Sequence, residues 1–156
     1  MRIALASDHA AVALKAELVQ WLTTAGHEVS DLGPDDAASV DYPDYGYLLA
    51  NHVAAGKAER GIALCGSGIG IAIAINRHPD VRCALVSEPL SATLARTHND
   101  ANVLAMGARL IGSDMVRACV DAFLTTSFAG ATPSPDSRHA RRVDKLSNPV
   151  IDRDLP

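Results

Sequence analysis

Leu64-Cys65-Gly66-Ser67-Gly68-Ile69-Gly70 puts a thiol, a hydroxyl and three alternating glycines into seven consecutive positions. An apolar run, Gly61 to Leu64, leads in, and a second, Ile71 to Ile75, leads out. The pattern predicts a buried strand, a tight turn and a helix start. Such a turn presents backbone N–H groups and the positive end of a helix dipole, which together hold anions. A thiol beside them is favoured as thiolate and can act as nucleophile or base. The anion could be a phosphate, a carboxylate or an enediolate oxygen. A packing turn that uses glycine only for clearance is the competing reading.

Two other segments carry groups of the same kind. His98-Asn99-Asp100 closes a predicted helix, where a histidine works near neutral pH or simply caps the helix end. Ser7-Asp8-His9 follows the first predicted strand, either as ligand contacts or as a helix start. Arg138, Arg141, Arg142 and Lys145 form a basic helix face. Arg138 and Arg142 are one turn apart and can grip a phosphate in fork geometry, unless the run is only a solvated face. Arg109, after the fifth predicted strand, can join them. Cys83 and Cys119 read as inert core thiols, and His27, His52 and His78 as surface or cap residues. Without HxH or HExxH spacing no metal is expected.

The elements that must position these groups alternate regularly. Strands are predicted at Arg2–Ala6, Glu28–Leu32, Gly61–Leu64, Arg82–Val86 and Asn102–Met106. Helices are predicted from a Ser7 or Asp8 cap to Leu22, from an Asp41 cap to Ala55, and from the glycine turn to Asn76. Two more run from Pro89 to Thr97 and from a Ser113 or Asp114 cap to Leu124. A last helix, Ser137–Leu146, follows the turn-rich connector Gly130 to Pro135 and stands outside the repeating scheme. Five strand–helix alternations imply an α/β fold, a doubly wound, Rossmann-like five-stranded parallel sheet with helices on both faces. Ligands on such sheets sit beyond the carboxyl ends of the strands. Ser7-Asp8-His9, Cys65 to Gly70 and Gly107-Ala108-Arg109 all fall there.

The chain has 156 residues, 48% of them hydrophobic, and a net charge of −4, which excludes a general nucleic-acid binder. Three widely spaced cysteines suggest neither a disulfide framework nor a zinc knuckle. With no secretory signal or membrane-length apolar run in the sequence, a cytoplasmic protein without membrane contact is expected. The domain is expected to span residues 1–147, with a tail at 148–156.

Gly66-x-Gly68-x-Gly70 is neither a dinucleotide fingerprint nor a P-loop. Instead, the chain resembles the type B ribose-5-phosphate isomerases, a family shared with galactose-6-phosphate isomerase subunits. The resemblance rests on Ser7-Asp8-His9, Asp41-Tyr42-Pro43, Cys65 to Gly70, Ser87-Glu88-Pro89, His98 to Leu104 and Arg138 to Val143, in order and spacing. It implies aldose–ketose isomerisation through a cis-enediolate, without a cofactor. By position, Cys65 is implied to be the base between C1 and C2. Ser67 and the amides of Gly66, Gly68, Ile69 and Gly70 are implied to steady the enediolate, and His98 to open the furanose ring. Asp8, Tyr42 and Asn99 would hold sugar hydroxyls; His9, Arg109, Arg138 and Arg142 would surround the phosphate. Sites shared between the subunits of a homodimer or tetramer are also implied, with the last helix packing on the partner.

Two positions depart from the pattern of some relatives. Ser67 stands where many carry threonine, and Ile71 where some carry a glutamate base. Ribose 5-phosphate and ribulose 5-phosphate are the expected pair. Allose 6-phosphate, galactose 6-phosphate or a tetrose phosphate would need the same chemistry. A non-catalytic sugar-phosphate sensor would keep the arginines and the turn but have no need of Cys65 with His98. A nucleotide-binding module lacks its fingerprint.

Overall fold

The strand segments alternate in size as well as in direction. Ile3, Leu5, Ile62, Leu64, Leu104 and Met106 point to one face of the sheet, and Ala4, Ala6, Ala63, Cys65 and Ala105 to the other. Both faces are apolar, as a sheet covered on both sides requires. The bulky face meets large helix residues such as Leu18, Leu22, Val120 and Phe123. The small face admits helices closely, and Leu49, Ile71 and Ile75 pack there. Cys65 belongs to the small face, under the helix that follows it.

The computed structural model describes residues 1–132 and 138–150. In chain order it contains β1 (Arg2–Ser7), α1 (Val12–Thr24), β2 (Glu28–Asp31), α2 (Tyr42–Ala54), β3 (Arg60–Cys65) and α3 (Ile69–Ile75). There follow β4 (Cys83–Leu85), α4 (Pro89–Asn99), β5 (Val103–Gly107), α5 (Ser113–Thr125) and α6 (Arg138–Ser147). The five strands form one parallel sheet in the order β2-β1-β3-β5-β4. Helices α1, α4 and α5 cover one face, and α2 and α3 the other. The expected five-stranded, Rossmann-like sheet is what the chain forms. Among the described residues no helix is long and apolar enough to cross a membrane.

Residue order leaves the strand order open, and that order positions the site. The crossover through α3 carries the chain past one position to β4, and α4 returns it so that β5 lies between β3 and β4. β1, β3 and β5 are therefore neighbours, with Ser7 opposite Leu64 and Cys65 opposite Gly107. The three segments singled out for their places at strand ends come together at one edge.

Three caps differ from expectation. The Asp8 carboxylate does accept the Ala10 N–H at 2.9 Å, but it opens a short 3₁₀ turn, His9–Ala11, before α1 begins. Asp41 makes no side-chain cap bond, and α5 is preceded by Gly112 without one, so neither Ser113 nor Asp114 caps it. A missed cap is Glu88, whose two carboxylate oxygens accept the Leu90 and Ser91 N–H groups at 2.6 Å each.

α6 has no buried residue and lies against α4 of its own chain, where the His139 ring stacks on His98. The expected helix start at Ser137, connector residues 133–135 and tail residues 151–156 lie outside the described residues.

Candidate active site

β3 delivers Cys65 into the small-residue face at 4% exposure. The chain then turns through Gly68, at φ +78°, into α3. That conformation swings the Gly68 N–H back onto the Cys65 sulfur, 3.0 Å away. An amide hydrogen aimed at sulfur stabilises the thiolate. The Ile69 N–H is taken by Ser67 Oγ at 3.3 Å. Two of the amides expected to face an oxyanion are thus engaged within the turn itself.

Gly68 cannot be replaced without damage. A Cβ there would lie 2.6 Å from Leu85 Cδ1 and 2.7 Å from the Met106 carbonyl carbon. Gly68→Ala is expected to lower stability by about 2–3 kcal/mol and to pull the amide off the thiol. Thermal denaturation and the rate of Cys65 alkylation measure the two effects. At Gly70 the nearest atoms to an added Cβ belong to the Tyr42 ring, at 2.6 Å, and that ring can turn aside. An equal loss of stability from Gly70→Ala would remove the backbone clash as the reason.

Around this turn the strand order gathers the other groups. Tyr42, at the start of α2, lays its ring against Gly70. The Arg109 N–H donates to the Gly66 carbonyl at 3.1 Å, and its guanidinium lies over Gly66. Asp8 is buried beside the end of β3, its N–H donating to the Leu64 carbonyl at 3.1 Å. His9 Nδ1 accepts the Val40 N–H at 3.2 Å, which leaves Nε2 as the nitrogen able to reach a ligand. A cavity of about 270 Å³ borders Ser67, Ile69 and Gly107.

His98 and Asn99 are elsewhere. α4 runs antiparallel to the strands for eleven residues, about 16 Å. It starts by the carboxyl end of β4 and ends by the amino end of β5, so these two residues stand at the opposite edge of the sheet from Cys65. His139 of α6 stacks on His98 with ring centroids 4.5 Å apart and planes within 5°. Desolvation, then the charges of His98, Arg138 and Arg142, hold the His139 imidazole below its usual range. Arg138 and Arg142 are exposed on α6, at the His98 end. The predicted residues therefore form two groups. One holds Asp8, His9, Tyr42, Cys65, the turn and Arg109; the other holds His98, Asn99, Arg138 and Arg142. His139 was not singled out as a site residue. The signal was its place between two arginines assigned to phosphate.

The remaining cysteines behave as core thiols. Burial pushes Cys83 up to about 12, and burial together with the Glu88 charge raises Cys119. Ile71 is fully buried against the sheet, so no base acts from that position. Among the described residues no group of three or more His, Cys, Asp or Glu side chains could hold a metal ion.

A parallel α/β sheet whose central strand sets a thiol against a glycine turn, beside an arginine, defines a site suited to proton transfer on a small anionic substrate. A family model described as Ribose/Galactose Isomerase matches residues 3–146, and the chain belongs to that family. Ribose-5-phosphate isomerase B of Escherichia coli (strain K12) is 40% identical, across 94% of this chain and 94% of its own. The structure of Clostridium thermocellum ribose-5-phosphate isomerase B superposes with a TM-score of 0.89 at 42% identity, covering 95% of this chain and 96% of that one. The Thermotoga maritima ribose 5-phosphate isomerase gives 0.88 at 44% identity, covering 94% and 97%. The chain is a sugar-phosphate isomerase.

Proposed function

We propose that the chain interconverts D-ribose 5-phosphate and D-ribulose 5-phosphate through a cis-enediolate, with Cys65 as base. The observation that carries this is the buried Cys65 sulfur held by the Gly68 N–H at 3.0 Å. It places a buried, hydrogen-bonded sulfur beside a helix start that can receive negative charge. His98 protonates the ring oxygen as the bond from C1 to that oxygen breaks and the C1 hydroxyl releases its proton to water, giving the open aldehyde. The Cys65 thiolate then takes the C2 proton, and the electrons move to form C1=C2 with the charge on O1. The amides of Gly66, Ser67 and Gly70 hold that oxygen, and Ser67 Oγ relays the O2 proton to O1. The Cys65 thiol returns its proton to C1, leaving the ketone at C2. Asp8, Tyr42 and Asn99 hold hydroxyls. His9, Arg109, Arg138 and Arg142 hold the phosphate, whose binding fixes the reacting carbons. No step asks for a cofactor.

One chain cannot bring His98 to a sugar resting on Cys65, because the two stand at opposite edges of its sheet. The site is complete only when a second copy supplies His98 and Asn99. The exposed apolar side chains of Ile69, Ile73 and Leu85, beside the thiol turn, give such a copy a surface to cover.

Two inactive chains should therefore repair each other. Cys65→Ala and His98→Ala proteins, unfolded together and refolded as a mixture, are expected to recover about a quarter of native turnover, since half the dimers are mixed and each has one intact site. No recovery would place both groups in one chain. A panel of ribose 5-phosphate, allose 6-phosphate, galactose 6-phosphate and erythrose 4-phosphate decides the substrate. Turnover of a six-carbon ester well above that of ribose 5-phosphate would replace the pentose in this reading.

A further inference from the structure

α4 ends in an unusual way. Asp100 closes it with φ +46°, the one non-glycine residue with positive φ among those described. The Asp100 N–H donates to the Arg96 carbonyl at 3.2 Å, and the Ala101 N–H to that of Ala95 at 3.0 Å. The Asp100–Arg96 bond is that of an αL helix end, where glycine is the usual residue because other side chains are strained. Glycine would fit here without strain, so what aspartate adds is its carboxylate.

That carboxylate is held from both sides. Oδ2 accepts from Arg82 Nη2 and Oδ1 from Arg96 Nη1, each at 2.8 Å. Arg82 Nε also donates to the carbonyls of Asn99, at 3.2 Å, and Asp100, at 3.0 Å. Arg96 Nη1 reaches the Ala101 carbonyl at 2.6 Å, and its side chain is nearly inaccessible. Arg60, half-buried nearby, is pushed down by burial and then by the Arg96 charge, with Asp100 opposing. One carboxylate thus ties two arginines to the backbone that carries His98 and Asn99.

We infer that Asp100 is a positioning residue for the isomerisation: through Arg82 and Arg96 it fixes the end of α4 so that His98 and Asn99 meet the substrate in one orientation. This rests on the reading above, in which those two side chains touch the sugar. Cys65, His9 and Arg109, at the other end of the sheet, are untouched by the clamp, whereas Arg138 and Arg142 lie on α6 at the His98 end. Removing the clamp therefore changes the presentation of His98 and Asn99 without removing either.

Asp100→Gly is the telling variant, because it relieves the backbone strain while deleting the clamp. The full-length protein is expected to remain folded though less stable, since the buried Arg96 loses its carboxylate partner, with kcat lowered roughly tenfold to a hundredfold, as misplacement of reacting groups commonly gives. Its His98 imidazole resonance should shift, since the ring would leave its stack on His139. Asp100→Asn, which tolerates the same φ and keeps one acceptor, should recover part of the loss. If Asp100→Gly does not fold, Arg82→Lys removes the two Nε bonds from a partly exposed position and should shift the same resonance. An unmoved His98 resonance overturns the clamp, whatever the kinetics. A moved resonance with full turnover would instead remove His98 and Asn99 from the substrate contacts and leave the clamp standing.

Discussion

Replacing Cys65 with alanine is expected to lower turnover of ribose 5-phosphate on the order of 10³-fold or more, with substrate still bound. Enediolate formation requires a base at the C2 proton, and in the proposed mechanism that base is the buried sulfur at the end of β3, which accepts the Gly68 N–H. Arg109 and His9 approach the site from other strand ends, so the phosphate grip survives the substitution. Cys65→Ser should be nearly as inactive, because a hydroxyl is far less acidic than a thiol and gives almost no anion near neutral pH. Substrate binding by calorimetry and incorporation of solvent deuterium at C1 of ribulose 5-phosphate separate binding from proton transfer. Both variants should bind and fail to exchange. Native exchange in Cys65→Ala would move the base to another residue.

The second large effect is on stability. Lys15 of α1 is 2% exposed, and its ammonium pairs with Asp31 at the end of β2, which is 32% exposed. Asp31 also accepts the Gly33 N–H at 2.9 Å, and the Gly33 carbonyl accepts the Ser7 N–H at 3.0 Å. The two sides of this pair are unequal. Asp31→Ala leaves a cation buried without a partner and should cost about 3–5 kcal/mol. That corresponds to a fall in Tm of roughly 10 °C for a chain of this size. Lys15→Met removes the cation altogether and leaves a carboxylate that water can reach. Its cost should be about 1 kcal/mol or less. Urea denaturation of the two variants checks the asymmetry. Equal losses would show that the pair itself, rather than the stranded charge, supplies the stability.

Much of the fold was legible in residue order. Ile3-Ala4-Leu5-Ala6 and Ile62-Ala63-Leu64-Cys65 announce strands, because bulky and small side chains alternate with the period of a strand. The glycine turn announces itself because positive φ and close approach both favour glycine, and Gly68 adopts the first while Gly70 permits the second. The caps were less legible. Ser113, Asp114 and Asp41 have suitable side chains but make no cap bond, whereas Glu88, a less usual cap, makes two. Capping depends on the entry angle of the chain, which neighbouring packing sets.

By itself, the sequence determined the parallel α/β class, the thiol at the end of the third strand and the chemistry that a thiol beside a glycine turn can do. These follow from local periodicity and from side-chain type, both carried by the chain at each position. Tertiary structure alone decided that β5 lies beside β3, bringing Arg109 over Gly66. It also set His98 at the far edge of the sheet, stacked on His139, and placed Asp100 between Arg82 and Arg96. Those relations join residues distant in sequence through crossovers and packing. Residue order restricts such contacts, but only the assembled layers select among them.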